Sequence, residues 1–78
     1  MKNQNENQGL TFREWLKSQQ NLDSPIGDLA KEALQDIGWK GDSPDSLLVR
    51  MKAMDADLGA LEAFRNAETR FKALLQEH

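Results

Sequence analysis

Ser24-Pro25-Ile26-Gly27-Asp28-Leu29-Ala30-Lys31-Glu32-Ala33-Leu34-Gln35-Asp36-Ile37-Gly38 is the stretch from which the fold can be read. Serine is a strong helix N-cap, and proline at the first helical position gives up an amide that would have no intrahelical partner. Ile26, Leu29, Ala30, Ala33, Leu34 and Ile37 then recur at i, i+3, i+4, i+7, i+8 and i+11, the spacing of one helix face. Gly38 stands where a left-handed residue commonly closes a helix. The stretch predicts an amphipathic helix that must bury one face, and it lacks the alternation of a strand.

Similar signals lie on both sides. Upstream, Thr11-Phe12-Arg13-Glu14 has the capping-box pattern, and Leu10 and Trp15 stand at the two positions of a hydrophobic staple. Phe12, Trp15, Leu16 and Gln19 share a face, so a first helix runs from Thr11 to about Gln20. Downstream, Ser43-Pro44 repeats the start signal and predicts a short third helix with Leu47, Leu48, Met51 and Met54 inward. Met54-Asp55-Ala56-Asp57 reads as a break, with Asp57 or Asp55 as the next cap. A last helix carries Leu58, Leu61, Phe64, Ala67, Phe71, Leu74 and Leu75 inward, with Glu68 and Lys72 ordered for an i, i+4 ion pair. Connections this short make consecutive helices neighbours. The expected fold is all-α, a compact bundle of four helices.

Length and composition bound the function. A chain of 78 residues fits one domain. Residues 1–9 are mostly Asn, Gln and Glu after Met1 and read as a disordered polar tail, leaving 10–78 as the single domain. The absence of cysteine removes disulfides, thiolate metal sites and cysteine nucleophiles, and suits a cytoplasmic location. The single histidine is His78, poorly placed to serve as a general base or a metal ligand. Without an internal histidine no serine can be oriented in a hydrolytic triad, and no phosphate-binding glycine pattern occurs. No apolar run reaches the ~20 residues that a membrane span needs, and the polar amino terminus is not expected to be a signal peptide. The net charge of −3 argues against a free-standing nucleic-acid binder.

Pro25-Ile26-Gly27-Asp28-Leu29-Ala30, followed by Asp36 and Trp39, resembles the signature of the YozE SAM-like family of small bacterial proteins. In that family a Phe-x-x-Phe/Trp-Leu helix precedes a Pro-Ile-Gly-Asp-Leu/Phe-Ala helix that ends in Asp-x-x-Phe-Pro. Here the first element reads Phe12-Arg13-Glu14-Trp15-Leu16, and Leu58 to Leu75 looks like the family's closing helix. Lys40 stands where the family has proline, Trp39 replaces phenylalanine, and Glu32 replaces a frequent aspartate. The resemblance implies a sterile-alpha-motif-like (SAM-like) bundle and carries no particular activity.

The candidate interaction residues are Asp28, Glu32, Asp36, Trp39, Arg65 and Arg70. Asp28, Glu32 and Asp36 fall at i, i+4 and i+8, where like charges repel. They read as an acidic strip for a basic partner or a hard cation, or more plainly as a solvated face with Asp36 engaged by a neighbouring element. Trp39, in a turn, is either a lid over the core, the favoured reading, or an exposed anchor. Arg13 with Lys17, and Arg65, Arg70 and Lys72, could gather phosphates, though an ordinary solvated face explains them as well. By analogy with SAM-like bundles, the acidic strip could meet Arg65 and Arg70 of a second copy. The expected function is that of a non-enzymatic protein-interaction module, adaptor or regulator, without cofactor or metal. The alternative is a nucleic-acid-binding regulatory protein.

Overall fold

The computed structural model describes residues 10–76. The expectations for the tail over 1–9 and for His78 concern residues outside that range. Among the described residues the chain forms four helices and no strand: α1 (Phe12–Gln19), α2 (Pro25–Gln35), α3 (Pro44–Ala53) and α4 (Leu58–Leu75). The all-helical bundle read from the sequence is the fold.

Each helix starts on a side chain that accepts from a first-turn amide. Thr11 Oγ1 accepts from the Glu14 amide (3.0 Å), Ser24 Oγ from Gly27 (3.2 Å), Ser43 Oγ from Ser46 (3.1 Å) and Asp57 Oδ1 from Ala60 (2.8 Å). Only the threonine half of the capping box is in place, since the Glu14 side chain is exposed.

Among the described residues no polar or charged one is buried, and the helices close over one apolar core. Phe12 is its aromatic hub, stacked on Trp15 with centroids 5.8 Å apart and edge-on to Phe64 at 6.0 Å and Phe71 at 5.3 Å. Helix α2 packs against both α1 and α4, and α3 rests on α4. Small Ala30, Ala33, Ala63 and Ala67 are buried where α2 and α4 approach, so the two backbones come close.

Five expected inward residues are outside the core, among them Leu74 and Leu75, each 39% exposed in the last turn of α4. Helix α2 stops at Gln35, so Ile37 never joins its stripe and is 88% exposed. Met54 is the C-cap of α3 and 59% exposed, and Leu58, in the first turn of α4, is 78% exposed. Gly38 also departs from expectation, because no glycine of the described chain has a positive φ. Asp36 ends α2 instead. Its backbone is extended at φ −85°, ψ 103°, and its Oδ1 accepts from the Gly38 amide at 2.9 Å.

Among the described residues the one left-handed residue is Asp55, at φ 61°. The Ala56 amide donates to the Met51 carbonyl (3.0 Å) and the Asp55 amide to that of Lys52 (3.1 Å), the paired bonds of a Schellman close. Asp55 thus occupies the place that glycine usually takes.

Candidate functional site

Helices α2 and α3 and the start of α4 enclose a groove of about 1220 Å³. Its floor is apolar: Leu29 and Ala33 of α2, Leu47 and Met51 of α3, and Ala60 and Ala63 of α4, with Met54 at the edge. Six carboxylates line it, Asp23, Asp28, Glu32, Asp36, Asp57 and Glu62, against one cation, Arg50. The remainder of the chain carries seven acids and nine bases, so the negative charge of the molecule is concentrated at this one feature.

Two of the six carboxylates are committed within the fold. Asp57 caps α4. Asp36 takes the Arg50 guanidinium in a two-point fork, Nε to Oδ2 at 2.8 Å and Nη2 to Oδ1 at 3.0 Å. The hydrogen bonds from Arg50 and from the Gly38 amide hold the Asp36 carboxyl below its ordinary value of 3.8, and the same pairing raises Arg50. Asp23, Asp28, Glu32 and Glu62 are exposed and make no ion pair among the described residues.

Of the six residues singled out in the sequence, the groove gathers three. Asp28 and Glu32 stand on its rim one helical turn apart. Asp36 lines it but is not a free member of an acidic strip, because it has left the helix and is held by Arg50. Trp39 is the lid over the core that the favoured reading expected and not an exposed anchor: it is 3% exposed, with Nε1 donating to Ser46 Oγ at 2.9 Å. Arg65 and Arg70 are exposed on α4 and do not line the groove. The hard-cation reading gains nothing, since no three carboxylates among the described residues converge on a point.

No family model, curated protein or solved structure matches this chain.

Sequence reasoning missed Glu62 and Asp23 as groove residues and named Asp57 only as a cap; they come from another helix and from loops. Arg13, read from the sequence with Lys17 as a residue that could gather phosphates, instead holds the turn over residues 39–42. Arg13 donates from Nη2 to the carbonyls of Trp39 (2.7 Å) and Gly41 (2.8 Å), and from Nε to Gly41 (3.1 Å) and to Asp42 Oδ1 (3.2 Å). Its guanidinium lies over the Trp39 ring at 4.0 Å, and its own amide donates to the Asp42 carbonyl at 3.2 Å. A signal was present. A cation in the first turn of a helix opposes the dipole, which calls for a specific partner.

Proposed function

We propose that this chain is a non-enzymatic protein-interaction module, an adaptor or regulator, that engages another protein through the groove of α2, α3 and α4. The observation that carries the reading is the juxtaposition of exposed, unpaired carboxylates with an apolar floor. Unpaired charge around apolar surface is costly in isolation and fits a surface completed by a partner. The groove also exceeds the ~300–1,000 Å³ of typical small-molecule pockets, which favours a macromolecular segment. The resemblance to the YozE SAM-like family agrees with a small helical bundle, and the cysteine-free sequence agrees with a cytoplasmic setting. No described helix is long and apolar enough to cross a membrane.

Nucleic-acid binding is the weaker reading, because three of the basic residues that could serve it are engaged internally. Arg13 holds the 39–42 turn, Arg50 holds Asp36, and Lys72 pairs with Glu68 at 3.2 Å.

The test is capture from host extract on immobilised wild type, a Glu32→Lys/Glu62→Lys variant and an Arg65→Glu/Arg70→Glu variant. A protein retained by the wild type and by the α4 variant, and lost on the groove variant, is the expected result. Retention that ignores the groove variant counts against the groove.

A further inference from the structure

We infer that the occupant of the groove is a basic amphipathic helix of another protein, with its apolar stripe on the floor and its Lys and Arg side chains against the rim. This rests on the reading of the groove as an interaction site and names the chemistry of what it receives.

Three observations fix the occupant. First, the rim offers Asp23, Asp28, Glu32 and Glu62 without internal cations, whereas the one guanidinium in the groove is already forked onto Asp36. A neutral or acidic segment would bring no charge to match them, and a basic one matches all four. Second, the carboxylates do not converge. They are spread along α2 and across to α4, so they suit several cationic side chains in sequence and not one ion. Third, part-exposed Ala60 and the exposed, flexible thioether of Met54 at the edge are the apolar side chains open to an occupant, above the buried Ala33, Ala63 and Met51. Small residues admit a helix close to the backbone, and methionines adapt to its side chains. Met54 is already half out in solvent at the edge, positioned to fold over an arriving apolar residue.

A second copy of this chain fits less well. Its basic helix is α4, but the apolar side of α4 is spent on its own core through Phe64, Ala67 and Phe71. The exposed leucines of α4, Leu58 at one end and Leu74 and Leu75 at the other, stand apart from one another, and between them Arg65 is flanked by exposed Asn66 and Thr69, so a copy would bring charge with only a broken stripe for the floor.

The test uses the full chain, labelled with nitrogen-15, and three synthetic peptides of about 14 residues, ~21 Å as helix. One carries leucine at i, i+3, i+4 and i+7 with Lys and Arg flanking. The second keeps the leucines and replaces every base with Glu. The third scrambles the first so that no face is apolar. The first peptide should shift the amides of Asp28, Glu32, Ala33, Ala60 and Glu62. Its affinity should fall about tenfold from ~0.05 to ~0.5 M salt, as the screening length shortens from roughly 14 to 4 Å. The acidic peptide should shift nothing there, and the scrambled one should bind at least about fivefold more weakly, since charge without a stripe leaves the floor uncovered. Met54→Ser should weaken the first peptide a few-fold, and Glu32→Lys/Glu62→Lys should abolish the shifts while leaving the helical circular dichroism unchanged.

Absence of groove shifts at millimolar basic peptide overturns the inference, as does equal binding of the scrambled peptide. If host capture still depends on Glu32 and Glu62 in that case, the groove stands as a site and only the occupant is wrong. If neither responds, both readings fall. A salt-sensitive dimer in sedimentation that the groove variant dissolves would replace the partner with a second copy.

Discussion

Trp39 is held at both ends of its ring system. Its indole face carries the Arg13 guanidinium at 4.0 Å, its Nε1–H is taken by Ser46, and its carbonyl accepts from Arg13. Removing the ring takes the lid from the core, so Trp39→Ala should cost about 3 kcal/mol in urea unfolding, at the low end for a buried aromatic. Trp39→Phe keeps most of the apolar area and loses one hydrogen bond, for a cost of about 1 kcal/mol. Arg13→Lys separates charge from geometry. Lysine keeps the cation, but one ammonium cannot serve two carbonyls, a carboxylate and a ring face together, and about 1–2 kcal/mol should be lost. A loss inside the ~0.5 kcal/mol usual for surface changes would mean that the clamp is incidental. The indole's burial was legible because a small core needs aromatic area. The clamp was not, because Arg13 and the turn it grips are 26 to 29 residues apart and share no local pattern.

At the scale of the element, starts were more legible than ends. N-caps are local chemistry, a side chain bonding an amide three residues on, and Thr11, Ser24, Ser43 and Asp57 all stand where the sequence placed them. Ends depend on what waits beyond. Helix α2 gives up Asp36 and Ile37 because Arg50, fourteen residues away, takes the Asp36 carboxylate, and Gly38 leaves room beside that guanidinium, where a Cβ would collide with it. The pairing has a pH signature. The Asp36 carboxyl lies below 3.8 in the folded chain, so its contribution is complete above that ordinary value and is lost as pH falls through the lowered one. Urea midpoints should therefore drop below about pH 4, and Asp36→Asn should be less stable at neutral pH with a flatter acid limb. An unchanged acid limb would remove Asp36 from the account. At the other close, Asp55 holds a left-handed conformation that costs a side-chain-bearing residue about 1 kcal/mol. Asp55→Gly should recover much of that as a higher melting temperature; a lower one would point to a favourable role for the carboxylate. Gly27 belongs here too. It is buried where α2 meets the preceding loop, and a Cβ would run into the Leu22 carbonyl, so Gly27→Ala should cost about 1–3 kcal/mol.

At the scale of the whole molecule, the groove exists only once α2, α3 and α4 are assembled. Asp28 and Glu32 were visible as a repulsive i, i+4 pair, but Glu62 joins them from across the α2–α4 packing, and no sequence spacing announces that. The assembled rim carries an energetic consequence for the free protein. Like charges one helical turn apart cost roughly 0.2–0.5 kcal/mol, and Glu62 adds a further carboxylate from the α4 side of the groove without an ion pair to offset it. Neutralising the rim should then stabilise the fold that it weakens. Glu32→Gln and Glu62→Gln should each raise stability by about 0.3 kcal/mol in low salt. The gain should fade toward zero near ~0.5 M salt, where screening already supplies it. Both variants keep side-chain size and the helices that bear them, so this comparison isolates charge. A glutamine that destabilises the chain would mean that the carboxylate has an internal partner, and an acid satisfied from within has no need of a basic helix. Stability gained together with binding lost is the pattern expected of a surface whose charge is directed outward.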